Sequence, residues 1–230
     1  MPRDPERTRG RYLFTLDGRP AGIDERFVLG DIAPGVWRAR TTRVGARPTF
    51  RLESDVRVDV TGLSVAVRWV GSGPGVVREA GSELVQREGA VTATRTVDGT
   101  AYAVSETRGR LNTLAHAVSG PLVLAAVGGT DVVEANVLDA SDPSTFLAPV
   151  ALRWTTAPAS ADSVLVDEVE RAGTAYDWVD SRTGWTASMI VDRGGLLLRS
   201  RLAAPDGLLE VRLAEVYGPW PEPLRWGLPG

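Results

Sequence analysis

Most of this chain alternates between apolar and polar positions. Val56, Val58 and Val60 are separated by Arg57 and Asp59, and Val65, Val67 and Trp69 by Ala66 and Arg68. From Val91 to Val97, small or apolar residues alternate with Thr and Arg. A period of two, rich in Val, Thr, Trp and Tyr, predicts half-buried antiparallel strands. The breaks are those of hairpins. Asp17-Gly18, Asp98-Gly99, Thr183-Gly184, Gly194-Gly195 and Asp206-Gly207 each separate two extended runs, and glycine takes the left-handed backbone of a tight turn without strain. The predicted class is mainly β: an antiparallel curved sheet, either half-barrel or barrel. One stretch has a helical period instead. Leu111, Leu114, Ala115 and Val118 stand at i, i+3, i+4 and i+7 before Gly120-Pro121, which predicts one short connecting helix.

The chain also repeats a phrase. VAVRWV at 65–70 returns as VALRWT at 150–155, an offset of 85 residues. Without gaps, 65–111 and 150–196 share 10 of 47 positions, among them Trp69 with Trp154, Glu83 with Glu168 and Gly99 with Gly184. Two similar repeats, at about 50–111 and 135–196, are expected within a single β domain covering 1–230. Two ordinary strands of similar composition are the alternative. A hairpin over 196–217 then precedes YGPWPEPLRWGLPG at 217–230, whose prolines and tryptophans predict an extended strap across the body.

Composition narrows the chemistry. The 230 residues are 43% hydrophobic and 24% charged with a net charge of −3, values suited to a globular core and giving no electrostatic case for nucleic acid. With no cysteine, disulfides and thiolate chemistry are excluded. Every basic side chain except the lone histidine is Arg, so Schiff-base and P-loop lysine chemistry is excluded too. The charged opening MPRDPERTRGRY lacks an apolar signal region, and PLVLAAV at 121–127 is too short to span a bilayer. A cytoplasmic protein without an integral membrane segment is expected.

Catalytic signals are sparse. His116 is the sole imidazole and lies in the expected helix, and no G-x-S-x-G elbow occurs. Asp31, Asp55 and Asp59, like Asp162, Asp167 and Asp180, lack the spacing of a calcium loop. GSGPG at 71–75 has no Lys-Ser/Thr to cradle phosphate. The 29 acidic residues allow a carboxylate pair, but Glu83 and Glu168 read first as exposed strand charges. No cofactor or metal is expected.

The aromatic residues offer more. Trp69 and Trp154 share strand faces with valine and leucine, Tyr176 shares one with Trp178, and Trp185 shares one with Ala187 and Met189. On a curved sheet Trp69, Trp154, Tyr176, Trp178, Trp185 and Met189 can line one concavity; filling a closed core is the alternative. Small residues at Ala90, Thr92, Thr94, Ala101, Ala103 and Ala187 would leave room if they faced inward. Arg68 and Arg153 point away from their tryptophan neighbours.

Several longer phrases carry a resemblance. RYLFTLDGRPAGIDERFVL at 11–29, GSELVQREGAVTATRTV at 81–97, VDEVERAGTAYDWV at 166–179 and WTASMIVDRGGLLLRSRL at 185–202 together resemble the LolA-like superfamily of lipoprotein carriers and the bacterial glycolipid-binding proteins. The resemblance spans 11–217 and implies an open half-barrel whose concave face holds a lipid chain, internally two-fold in the glycolipid-binding branch. The expected function is non-enzymatic binding of a lipid, glycolipid or other apolar or amphipathic small molecule. The alternatives are an interaction module using β edges or the Trp-Pro tail and, behind it, a carboxylate-dependent hydrolase.

Overall fold

The computed structural model describes residues 7–46, 48–72, 78–108, 110–112, 117, 132–138, 145–156, 160–180, 184, 186–204 and 206–220. Within them sixteen strands follow in order: Thr8–Leu16 (β1), Arg19–Ala33 (β2), Val36–Ala46 (β3), Thr49–Asp59 (β4), Gly62–Gly71 (β5), Glu79–Arg87 (β6), Ala90–Val97 (β7) and Thr100–Arg108 (β8). Arg110–Asn112 (β9), Val132–Leu138 (β10), Pro149–Thr156 (β11), Ser160–Val166 (β12), Val169–Asp180 (β13), Thr186–Val191 (β14), Leu197–Ala204 (β15) and Gly207–Tyr217 (β16) complete them.

All sixteen belong to one sheet. Its path runs from β8 down to β1, crosses to β16, and continues through β15, β14, β13, β11 and β10 to β9. Every pairing is antiparallel except β9 with β10. The sheet curls until β7 nears β9 and β8 nears β11. No ladder joins β8 to β9 among the described residues, so the barrel-like sheet stays open along that seam. The expected curved antiparallel sheet is what the chain forms.

Alternation explains the curl. In register, Thr8, Leu29, Ala39, Val56, Val65 and Leu84 follow one another across β1 to β6 on the inner face, and all are buried. Period-two patterning therefore gives each of these strands one apolar side, and the sheet bends so that these sides meet. The buried residues join into one cluster, from Tyr12 and Phe27 through Val65 and Leu84 to Trp178, Leu198 and Leu213. Glycines make room where rings are bulky. A Cβ at Gly10 would overlap the Phe27 ring, and one at Gly45 the Phe50 ring.

The outer face is a ladder of opposite charges. Asp55 accepts from Arg38 and Arg40, Glu53 from Arg51, Glu79 from Arg68 and Glu210 from Arg201. Arg68 thus lies on the solvent side, opposite Trp69, as the alternation predicts. These exposed pairs contribute little stability each, but they fix which side meets water. The hairpin of β12 with β13 folds back over part of this face. Arg199, directly opposite Ile190, reaches Asp162 of β12 at 3.5 Å, and Val164 and Val166 are buried beneath.

Several expectations are corrected in detail. Leu111 and Asn112, the start of the expected helix, belong to β9; no helix occurs among the described residues, and 113–116, with His116, lie outside them. Val60, grouped with Val56 and Val58, sits in a turn and is 96% exposed. At the 85-residue offset, β5 falls on β11, and the β7–β8 hairpin falls on β13–β14 with Gly99 (φ +78°) and Gly184 (φ +71°) matched. The β6–β7 turn at Glu88-Gly89, however, falls inside β13, and Glu168 is a turn residue whereas Glu83 is in a strand. β5 pairs with β6, but β11 pairs with β13 while β12 leaves the path. The correspondence covers one strand and one hairpin, not strand order. Of the strap, Pro219 accepts from Thr8 Oγ1 at 2.6 Å; residues 221–230 lie outside the described residues.

Candidate functional site

The inner face is apolar with a narrow polar band. One row runs Gly10, Phe27, Thr41, Ser54, Val67, Ser82 and Arg95 across β1 to β7. Its hydroxyls are satisfied within the sheet: Thr41 and Ser54 share a bond of 2.6 Å, and Ser82 donates to the Thr94 carbonyl at 3.4 Å. The next row runs Tyr12, Glu25, Arg43, Leu52, Trp69, Ala80 and Val97. Here two charges enter the core. Arg43 Nε donates to Glu25 Oε2 at 2.6 Å, and the two side chains are 14% and 1% exposed. The Arg43 guanidinium also lies 5.2 Å from the centre of the Phe14 ring. A buried carboxylate survives there because a cation meets it directly.

Tyr12 stands beside this pair. Its hydroxyl donates to the Leu197 carbonyl at 2.8 Å. Burial, followed by the negative charges of Glu25 and Asp192, pushes its phenol well above the usual range. Asp192 in turn closes the β14–β15 turn, accepting from Leu196 N at 2.6 Å and from Trp220 Nε1 at 2.5 Å. Burial raises the Asp192 carboxyl above its ordinary value despite those hydrogen bonds. The Arg171 guanidinium lies 4.2 Å from the Trp220 ring, so the first tryptophan of the strap is held on two sides. Among the described residues no group of three or more His, Asp or Glu is placed to hold a metal ion.

The aromatic residues singled out by sequence divide into separate groups. Trp69, on β5, stacks on Phe50 with centroids 4.6 Å apart and planes 9° from parallel. Phe146 meets it edge-on at 5.3 Å. Arg95 Nη1 donates to the Phe146 carbonyl at 3.0 Å, tying the turn before β11 to β7. Tyr176 and Trp178 lie together on β13, with centroids 6.5 Å apart. They are 8% and 1% exposed, and Met189 of β14 is directly opposite Tyr176. No ring contact links this group to Trp69 among the described residues. Trp154 is placed by its backbone, opposite Val133 and Asp180; its side chain, and Trp185 altogether, lie outside the described residues.

The small residues expected to face inward do so only in part. Ala187 is buried, but Thr92, Thr94, Ala101 and Ala103 are exposed. The inward set of β7 is Val91, Ala93, Arg95 and Val97, so the phase of the alternation is shifted by one. Gly10, Thr41, Ser54 and Ala80 supply the small inner positions instead. Sequence reasoning also missed Phe50, Phe146, Glu25 and Arg43. The only signal for Phe146 is a Phe-Leu pair between Pro143 and Pro149, apolar residues in an otherwise turn-like stretch.

This arrangement of strands has a counterpart among known structures. A beta-barrel-like protein of the domain of unknown function DUF1849 from Brucella abortus superposes with a TM-score of 0.58 at 13% identity, covering 93% of this chain and 98% of that one. The likeness is one of fold. A DUF1089 family protein from Pseudomonas aeruginosa aligns more loosely, with a TM-score of 0.44 at 13% identity over 76% of this chain and 87% of that one. No family model and no curated protein matches the chain. No helix among the described residues is long and apolar enough to cross a membrane.

Proposed function

We propose that this protein binds an apolar or amphipathic small molecule, a lipid or glycolipid, against the inner face of its open sheet, without catalysing a reaction on it. The observation that carries the reading is an inner face that is apolar on either side of a narrow polar band, on a curved sheet whose ends share no ladder among the described residues. The resemblance of the strand phrases to LolA-like carriers supports it. Apolar burial supplies affinity without a reactive group: about 0.8 kcal/mol per CH₂ gives a ten-carbon chain roughly 8 kcal/mol before the entropy of association is subtracted. The buried carboxylates at the centre already have structural partners, Glu25 in Arg43 and Asp192 in Leu196 N and Trp220, which supports a non-catalytic role.

The test is direct. Organic extraction of the purified protein, preceded by native mass spectrometry, should release a lipid. A panel of fatty acids, phospholipids and glycolipids should contain a member that shifts tryptophan emission to the blue and shields it from acrylamide. No extracted lipid, together with emission unaltered by the whole panel, refutes the reading. A second reading, protein interaction through a β edge, is favoured by β8 alone. That strand is exposed along nearly its whole length, with Tyr102 and Val104 outermost, and an unblunted edge strand accepts a partner strand. Concentration-dependent association abolished by Val104→Lys would support it.

A further inference from the structure

Two indoles of this protein are in opposite states. Trp220 Nε1 donates to Asp192, whereas Trp69 Nε1 is fully buried and has no hydrogen-bond partner among the described residues. Its surroundings explain the lack. The residues directly across from Trp69 are Leu52 and Ala80, and the rings against it are Phe50 and Phe146. The nearest inner-face hydroxyls, in the adjacent row, are engaged elsewhere: Ser54 with Thr41 and Ser82 with Thr94. A buried donor without an acceptor destabilises the fold, and phenylalanine would fill an aromatic cluster of this kind without that cost. Gly45 gives Phe50 its place against Trp69, since a Cβ there would overlap the Phe50 ring.

We propose that Trp69 Nε1 is the polar anchor of the bound molecule: it donates a hydrogen bond to a carbonyl oxygen of an acyl chain, whose hydrocarbon lies along the partly buried rings of Trp69 and Phe50. The assignment rests on the lipid-binding reading and adds the ligand's chemistry and place. The ligand carries an acceptor oxygen next to its apolar chain, so an ester or a carboxylic acid fits and a plain hydrocarbon does not. Its place is the β4–β5 side of the inner face, beside the turn that carries Phe146. Tyr176 and Trp178, like Phe146, are covered by the protein itself.

The experiment uses the full chain labelled with ¹⁵N at its tryptophan indoles. The Trp69 indole resonance is assigned by its loss in Trp69→Phe. Methyl dodecanoate, dodecanoic acid and dodecane are each delivered from cyclodextrin. The proposal expects the Trp69 indole proton to move downfield with the ester, the acid or both, and to stay in place with dodecane. A shift with both probes identifies the shared carbonyl; a shift with one says whether the ester or the free acid is the source. Trp69→Phe should weaken binding of the responsive probe by about 3- to 10-fold, the worth of one hydrogen bond, and leave dodecane binding unchanged. An unmoved resonance while the ester or acid binds overturns the anchor but leaves lipid binding standing. So does an equal loss of ester and dodecane affinity in Trp69→Phe, which would make the ring a wall. Failure of every probe to bind the wild type overturns both. The titration is read on the wild type, and Trp69→Tyr supplies the same assignment if Trp69→Phe does not fold.

Discussion

Replacing Arg43 by Met should remove the cation beside a buried carboxylate and destabilise this sheet. Glu25 is 1% exposed and Arg43 14%, and the guanidinium nitrogens approach Oε2 to 2.5–2.6 Å. Removing the cation that such a buried carboxylate faces costs about 3–5 kcal/mol. A domain of ordinary stability has about 5–15 kcal/mol in total, so the loss is a large fraction of the whole. The double variant Glu25→Leu/Arg43→Met keeps roughly the same volume and removes both charges. It should recover most of the loss, because an apolar pair of similar size is often as stable as the ion pair it replaces. Equilibrium urea unfolding followed by tryptophan emission measures all four corners of the cycle, with the denaturant slope checked for constancy. The reasoning is refuted if Arg43→Met costs less than about 1 kcal/mol, or if the double variant loses the sum of the two single losses.

Three further outcomes follow from the geometry. Gly99 has φ +78° and nothing within 4 Å of an added Cβ, so Gly99→Val should cost roughly 1 kcal/mol or more through left-handed strain alone; an unchanged thermal midpoint would contradict it. Burial raises Asp192 above its unfolded value, so its contribution to stability is present below about pH 4, the ordinary aspartate range, and is lost as pH rises through the raised folded value. The stability of Asp192→Asn should lack that decline, and pH–stability curves of equal shape for the two proteins would refute the assignment. Trp178→Ala should destabilise by about 3–5 kcal/mol, because protein atoms cover the ring; a thermal midpoint close to wild type would show that the ring is dispensable to the core.

Legibility in the sequence followed the range of the interaction. Local alternation gave the strands and their faces, so Val65 and Val67 lie inward and Arg68 outward. Turn chemistry was legible where Gly follows Asp, as at Asp17-Gly18 and Asp98-Gly99. It was not legible at Asp167-Glu168, which turn with φ +50° and +63° and no glycine. The phase of β7 was misjudged because Ala, Thr and Val alternate there with little contrast between faces, and a slip of one residue exchanges them. Glu25 and Arg43 each look like a solvent-facing charge on an amphipathic strand. Only the register Tyr12, Glu25, Arg43 shows that they face inward together. Trp69, Tyr176, Trp178 and Met189 lie in or against the core, but which rings meet depends on strands far apart in the chain: Trp69 meets Phe146 across 77 residues of sequence, since 146 − 69 = 77.

The pairing of β1 with β16 governs when the sheet can form. Seven strands could fold onto β1 from one side as they leave the ribosome, yet the other edge of β1 has no partner until β16 has been made. About 200 residues separate these partners, which at about 5–20 residues per second is roughly 10–40 s of synthesis. During that interval Tyr12 lacks the Leu197 carbonyl, and the inner face of the first eight strands lacks the wall formed by β13 to β16. An apolar, half-covered sheet with a free edge is what chaperones recognise and what aggregates when they are scarce. Its yield in a cell should therefore follow the speed of translation and the supply of chaperone more closely than the stability of the finished fold.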